Sequence, residues 1–351
     1  MRVGPKKGFE CIDVSGAKQV ERLRAALIGL AGVGEDYLAA IRSSNQFDLV
    51  AVADSRSEVL RKHDEDELRT YEDYRSLIVE GVRAGLDLLF VALEPFQAIE
   101  FVELAAGEGV AVFHKTPFAR HVEEGKKLLI QFDEKGLPFL VARYWQVEPA
   151  FADLANLAKS AGRIHTAAAN VRTTDGSDGW RGDAARAGGG VLLNGAYEQV
   201  DMLVSLLGLP ESVYAQCSAA TAPGSPRNYD TEDGALMMLR FSGDRFASVT
   251  AWRGEPEPCW HVALVGDKCS VDVYPDCLTK SHRDGREEEN HAVQEVNRAS
   301  VAISAVEAAY LSVVQPARPT AREHLSTLAV IEAAYLSAKT AAPESPSQFL
   351  A

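Results

Sequence analysis

Gly29, Ala31, Gly32, Val33 and Gly34 share one short stretch, Gly29-Leu30-Ala31-Gly32-Val33-Gly34, and Asp54 follows at the end of the next apolar run. A glycine turn that opens a helix leaves main-chain N–H groups free to receive a pyrophosphate. A carboxylate about 20 residues further on can accept the ribose hydroxyls of an adenosine. These residue types point to a bound dinucleotide. The charge on Asp54 opposes a 2'-phosphate and favours NAD, whereas Arg56, two residues later, can accommodate that phosphate and keeps NADP open. Ala31 stands where the fingerprint G-x-G-x-x-G has its middle glycine, so the turn carries one extra methyl group.

Holding those groups requires a strand, a helix and a second strand in succession. Near-continuous apolar runs predict strands at 23–28, 49–53, 87–92, 110–113 and 139–143, with amphipathic stretches between them. That alternation specifies a parallel sheet covered by helices. Beyond Tyr144 the pattern changes. Helical spacing runs over 148–161, a strand follows at 163–172, and a helix at 192–207 begins after Gly188-Gly189-Gly190. Strands are predicted at 212–221, 235–241, 245–253 and 260–274, a charged solvated loop at 283–290, and helices at 302–314 and 322–340. The fold class is therefore α/β, an N-terminal Rossmann parallel sheet plus a C-terminal α+β domain with a largely antiparallel open sheet. The expected boundaries are an extension at 1–22, a nucleotide domain at 23–145, a substrate and oligomerisation domain at 146–340 and a tail at 341–351.

A chain of 351 residues, 46% hydrophobic, exceeds the usual single domain. Its net charge of −14 and lack of a Lys/Arg-rich block argue against nucleic acid and anionic lipid as partners. No run approaches a membrane span and no signal-peptide core opens the chain, so a cytoplasmic protein is expected. Cys11, Cys217, Cys259, Cys269 and Cys277 are scattered without C-x-x-C spacing, and the eight histidines form no H-x-x-x-H or H-x-H pair; no metal is indicated.

Arg143, Tyr144 and Trp145 close the last strand of the first sheet, at the carboxyl edge where open α/β folds bind ligands. Arg172, Trp180, Arg181 and Asp183 precede the glycine cluster. Aromatic faces with arginine forks suit a sugar or a carboxylate-bearing polyol.

The segment from Glu100 to Arg120, ending Phe113-His114-Lys115-Thr116-Pro117, resembles the helix, strand and E-K-P loop of the glucose-fructose oxidoreductase, inositol dehydrogenase and rhizopine-catabolism (GFO/IDH/MocA) family. Tyr71-Glu72-Asp73-Tyr74, Pro95, Arg143-Tyr144-Trp145, Trp180-Arg181, the glycine cluster and Val330-Ile331-Glu332-Ala333-Ala334-Tyr335 extend the resemblance over nearly the whole chain. It implies an NAD(P)-dependent dehydrogenase or reductase of a sugar, cyclitol or related polyol, a homo-oligomer (dimer or tetramer), and a substrate held between the domains.

It also implies that Lys115 stands beside the nicotinamide, with Pro95 and His114 nearby. His114 replaces the glutamate of E-K-P, and Thr116 intervenes before Pro117. Where the family pattern has an Asp and a His, four residues apart and so on one helical face, this chain has Asn194 and Glu198, followed by Asp201. The expected catalytic set is thus Lys115 orienting the substrate oxygen, Glu198 as base and Asn194 donating a hydrogen bond. Tyr197 is a further proton-carrying candidate, about 100° around the helix from Glu198. The replaced positions leave two other readings open, a catalytically silent ligand-binding relative and a relative that uses NAD transiently for elimination or glycoside cleavage.

Overall fold

The computed structural model describes residues 22–63, 68–147, 158–219, 228–275, 277–282, 289–292, 298–314 and 321–351. The first sheet is built from β1 (Leu23–Ile28), β2 (Phe47–Ala53), β3 (Arg69–Tyr71), β4 (Leu88–Val91), β5 (Ala111–His114) and β6 (Phe139–Val141). All of its pairings are parallel, in the order β3-β2-β1-β4-β5-β6. Strand order reverses between β1 and β4. In open α/β sheets that reversal opens a crevice at the carboxyl ends of the strands, where ligands bind.

Helices α1 (Val33–Ser43), α3 (Tyr74–Arg83), α4 (Pro95–Glu108) and α5 (Val122–Lys135) supply most of the crossovers, with the short α2 (Ser57–Leu60) following β2. Local chemistry marks their ends. Asp73 caps α3 by accepting from the amides of Arg75 and Ser76, Pro95 opens α4, and Gly109 closes it in the left-handed region. On one face of the sheet Leu27, Phe90 and Phe113 pack against Tyr37 and Ile41 of α1 and against Val306 and Tyr310 of the later helix Arg298–Val314.

The second sheet has the order β14-β13-β12-β11-β7-β10-β9-β8. Its strands are β7 (Ile164–Thr173), β8 (Ser212–Ser218), β9 (Gly234–Phe241), β10 (Arg245–Arg253), β11 (Cys259–Gly266), β12 (Cys269–Val273), β13 (Cys277–His282) and β14 (Glu289–Ala292). Only β7 and β10 run parallel. One face buries Val171, Val213, Leu239, Val249 and Leu264 in the larger core, which also includes Leu203 of the helix Tyr197–Leu207 and Val330 of the helix His324–Thr340. The latter helix contacts both β8 and α5, and so ties the two halves together.

The expected α/β architecture is present, with local differences. The segment predicted as one strand at 260–274 is the hairpin β11–β12, turned at Asp267 and Lys268. Glu289 and Asn290, predicted as loop, open β14, because Lys280 and Thr279 of β13 pair with them. The helix predicted at 192–207 is two pieces, Val191–Asn194 and Tyr197–Leu207, broken at Gly195. Of the helix predicted at 148–161, residues 148–157 lie outside the described residues, as do 283–288 and all of the N-terminal extension but Arg22.

Candidate active site

The glycine turn is shaped by contact on one side and by space on the other. A Cβ on Gly34 would meet the Gly29 carbonyl oxygen at 2.1 Å, and Gly29 itself has φ +83° against Ala92 and Leu93. Gly32, at φ +60°, faces open space, and α1 begins beside it without a side-chain cap. The amides of Gly34 and Glu35 turn back onto the carbonyls of Ala31 and Gly32, at 3.2 and 3.1 Å, and with no side chain capping α1 the positive end of its dipole is open toward the crevice, which fits a pyrophosphate. The methyl group of Ala31 is part-exposed and is accommodated. Pro95, at the start of α4, and Val33 lie on either side of the strand reversal.

Asp54 is 1% exposed, and its carboxylate accepts from four donors: the Leu30 amide at 2.8 Å, and the amide (3.0 Å), Nε (2.8 Å) and Nη2 (2.9 Å) of Arg56. Burial alone would raise its pKa; the bonds from Arg56 and Leu30 outweigh that and hold the carboxyl below its usual range. As it stands, this acid presents no open oxygen to a ribose, which departs from the sequence expectation.

Across the crevice, β5 ends in His114 and feeds the turn carrying Lys115 and Thr116. Lys115 Nζ donates to Glu94 Oε2 at 2.7 Å, reaching back to the loop after β4. Thr116 Oγ1 donates to Glu198 Oε1, and the Trp145 amide reaches Glu198 Oε2 at 3.4 Å. Two consecutive residues thus meet two carboxylates, one from each half of the chain. Burial pushes the Glu198 carboxyl up to about 8; the Thr116 bond opposes this, and the nearby Asp201 charge adds to it.

Asn194 keeps an orientation opposite to the expected one. Its Nδ2 donates to the Gly189 carbonyl at 2.7 Å, so the amide oxygen is the group left to accept from a ligand. Because the helix breaks at Gly195, Asn194 and Glu198 do not share one helical turn. The glycine cluster is set by contacts from two directions. A Cβ on Gly189 would fall 2.1 Å from Tyr335 Oη, and one on Gly190 would fall 2.0 Å from the Glu232 carbonyl oxygen. Glu232 also accepts from the amides of Gly190 and Leu192 and from Tyr335 Oη.

Several expected site residues serve the scaffold instead. His114 is fully buried; Nδ1 lies 2.6 Å from the Lys115 carbonyl oxygen and must donate to it, and burial brings its pKa down to about 3. It braces the Lys115 turn from behind, and its ring, expected beside the cofactor, is closed off from the crevice surface. Arg143 and Trp145 donate to the buried Asp201 at 2.9 and 2.8 Å, which Thr327 also bonds, so neither is free for substrate. Tyr197 points into the core, with Oη 3.2 Å from His324 Nδ1. Arg172 lies on the outer face of the second sheet, because strand alternation sends Val171 inward.

Trp180 and Arg181 do reach the crevice. The Trp180 ring packs 5.9 Å from Phe96 of α4, with the Arg181 guanidinium 4.7 Å over it. Behind them is a niche lined by Thr173, Asp175, Arg181, Asn194 and Arg253, in which Thr173 Oγ1 is buried without a hydrogen-bond partner among the described residues. Glu94, Thr116 and Glu232 were missed by sequence reasoning. The signal for the first two was adjacency: Glu94 precedes Pro95 in a loop at the carboxyl edge of the sheet, and Thr116 follows Lys115. Among the described residues no cluster of metal-binding side chains occurs.

A dinucleotide cradle at the strand reversal, faced by polar groups from a second sheet domain, defines a two-domain nucleotide-dependent oxidoreductase. Two domain families match: the oxidoreductase family NAD-binding Rossmann fold over residues 23–143, and the GFO/IDH/MocA C-terminal domain over residues 157–272. The chain belongs to the GFO/IDH/MocA oxidoreductase family, and its first domain is the NAD-binding one. It is 24% identical to the D-apiose dehydrogenase of Paraburkholderia graminis over 343 residues, 91% of this chain and 88% of that protein. The fold is shared with levoglucosan dehydrogenase in complex with NADH and L-sorbose, at a TM-score of 0.83 and 18% identity, covering 94% of this chain and 100% of that one. It is shared too with the WlbA dehydrogenase of Bordetella pertussis in complex with NADH and UDP-GlcNAcA, at a TM-score of 0.76 and 22% identity, covering 93% and 99%.

Proposed function

We propose that this protein interconverts the alcohol and carbonyl forms of a neutral sugar or polyol, with Lys115 and Glu198 as the groups that meet the reacting oxygen. The observation that carries the reading is the pair of adjacent residues, Lys115 and Thr116, engaged with Glu94 and Glu198 at the carboxyl edge of the sheet. The sugar enzymes among the similar proteins support the substrate class. The Thr173–Asn194 niche supports it independently, since an unpartnered hydroxyl and an amide oxygen suit substrate hydroxyls.

A bound dinucleotide supplies or takes up the hydride. Gly29, Ala31, Gly32, Val33 and Gly34 would hold its pyrophosphate, with Pro95 and Lys115 bordering the ring end. Lys115 orients the substrate oxygen electrostatically, held in place by Glu94. Glu198 retains its proton below about pH 8, so at neutral pH it is an acid that delivers a proton to a carbonyl oxygen. Above that pH its carboxylate takes the proton from a hydroxyl. Thr116 fixes the rotamer of Glu198 in both states.

The test is turnover of NADH or NADPH with a panel of ketoses and aldoses at pH 7, and of the oxidised forms with the corresponding polyols at pH 9. Lys115→Ala should abolish turnover while leaving dinucleotide affinity within a few fold. Unchanged turnover would remove Lys115 from the mechanism. Dinucleotide binding with no turnover of any sugar would favour the silent relative, and turnover without net NADH release would favour elimination.

We also propose that the protein is a homo-oligomer paired through the outer face of its second sheet. Leu236, Met238, Phe246 and Trp252 are exposed there on adjacent strands. No helix among the described residues is long and apolar enough to cross a membrane. Cys217, Cys259 and Cys269 are thiols rather than disulfides, which supports a reducing, cytoplasmic setting.

A further inference from the structure

Thr116 and Glu198 meet across the crevice, one from each half of the chain, and the partners of the carboxyl decide where its proton sits. The Trp145 amide reaches Glu198 Oε2 at 3.4 Å. An amide N–H only donates, so Oε2 is held as an acceptor, and the proton of the neutral acid belongs on Oε1, the oxygen bonded to Thr116. A hydroxyl carries one hydrogen and can both donate and accept. While Glu198 is protonated, Oε1–H donates to Thr116 Oγ1, and the hydrogen of Thr116 has no other partner among the described residues. Once Glu198 is ionised, Thr116 turns its hydrogen onto Oε1. The direction of this one bond therefore reverses with the charge of the acid.

The register of the loop aims the hydroxyl at the site. In the E-K-P pattern the lysine directly precedes the proline; here Thr116 directly precedes Pro117, and Lys115 stands one residue further back. Lys115 turns to Glu94, on the loop after β4, whereas Thr116 turns to the second domain and remains partly exposed at the carboxyl edge of β5. We propose that Thr116 is a catalytic residue, a hydroxyl relay through which the Glu198 proton passes to and from the substrate oxygen. With hydride from the dinucleotide on the carbonyl carbon, the C=O π pair takes the Thr116 hydrogen as a proton, and the Thr116 oxygen takes the Oε1 proton. Two O–H bonds break, two form, and Glu198 is left as the carboxylate, which recovers its proton from solvent. Oxidation runs the same steps backwards. The charges bearing on Glu198 are Asp201, on its own helix, and Arg143, just past β6, with the phenols of Tyr37 and Tyr144 also in its field. The Thr116 bond lowers the Glu198 pKa against burial, so losing it keeps the acid protonated to higher pH. The relay rests on the alcohol–carbonyl reading and names the last carrier of its proton.

The experiment follows two quantities in wild type, Thr116→Val and Thr116→Ser. One is the protonation of Glu198 in the chain without dinucleotide, read from its carboxyl infrared band across pH 5 to 10 and assigned by difference from Glu198→Gln. The other is single-turnover reduction of the best ketose or aldose at pH 7 in mixtures of light and heavy water. Thr116→Val keeps the shape and removes the hydroxyl. Its Glu198 should stay protonated at pH 7 and titrate above wild type, while reduction slows about a hundredfold with substrate affinity within about threefold. Thr116→Ser should recover all but about fivefold of the rate. The wild-type rate should bow below a straight line in deuterium fraction, as two protons in flight require. A Thr116→Val rate within about threefold of wild type would overturn the relay, as would a slow Thr116→Val whose Glu198 is ionised at pH 7, or a Thr116→Ser as slow as the valine variant. A straight line for wild type would overturn it even if Thr116→Val failed to fold, which circular dichroism checks. A wild type that turns over no sugar would instead remove the alcohol–carbonyl reading, and the relay with it.

Discussion

Glu198 occupies the position where the family pattern has a histidine, and its surroundings rather than its side chain decide what it can do. A carboxyl whose pKa rises from 4.5 to about 8 on folding is protonated in the native state and ionised in the unfolded one between those limits. The unfolded chain binds fewer protons there, so this group lowers stability progressively from pH 4.5 up to pH 8. Glu198→Gln removes the titration and keeps an acceptor for Thr116. The variant should therefore be more stable than wild type at pH 8 by a few kcal/mol, each pH unit contributing at most about 1.4 kcal/mol. The gain should shrink to nothing near pH 4.5. Urea midpoints measured across pH 4.5 to 8.5 test this, and a gain independent of pH would mean that Glu198 is ionised in the native protein. His114 and His324 slope the other way. Held neutral down to about 3 and 4 by burial, they cost stability as pH falls below 6.5, because only the unfolded chain then takes up their protons.

The glycine cluster shows what an element asks of its sequence. Gly190 touches the Glu232 main chain, so Gly190→Ala places a methyl group into backbone that cannot retreat and should cost about 3 kcal/mol. Gly107, in the last turn of α4 with nothing within 4 Å of a built Cβ, has the opposite expectation: Gly107→Ala should stabilise by about 0.5–1 kcal/mol. Equal thermal shifts for the two variants would reject the packing account. The same contrast explains what could be read in the chain. Strand β4, β1 from Ala25 on and β5 up to Phe113 were legible because burial on both faces leaves an unbroken apolar run, and the turn at Gly29 because its glycines follow directly from backbone geometry. The saturation of Asp54 by Arg56 was not legible, since only spatial position shows which donors reach a carboxylate. Nor was the reversal of Asn194, whose amide is turned by carbonyls of a loop that folds back five residues earlier. The predicted single helix at 192–207 failed for a related reason: apolar periodicity continues through Gly195, while contacts from Val191 and Thr173 shape the break.

At the scale of the whole molecule, the second sheet has one face covered by helices and one that is bare among the described residues. On the bare face, alternation along β9 and β10 brings Leu236 and Met238 beside Thr250 and Ser248, with Phe246 and Trp252 at the two ends of β10. Phe246 is 58% exposed and Met238 53%, a large apolar cost for a monomer in water. A mixed sheet presenting such residues on neighbouring strands is a surface that a second copy can cover, face to face across a two-fold axis, so that each side chain meets its own counterpart's neighbourhood. The crevice lies on the helix-covered side, and pairing through the bare face would leave it open. Phe246→Glu should therefore convert the proposed oligomer to a smaller species in sedimentation velocity at micromolar concentration, while dinucleotide affinity stays within about threefold. Placing like charges opposite each other in a buried contact costs several kcal/mol, enough to raise the dissociation constant by more than a hundredfold. A wild type that sediments as a monomer at the same concentration would reject the pairing, and an oligomer unaffected by Phe246→Glu would move the interface to another face.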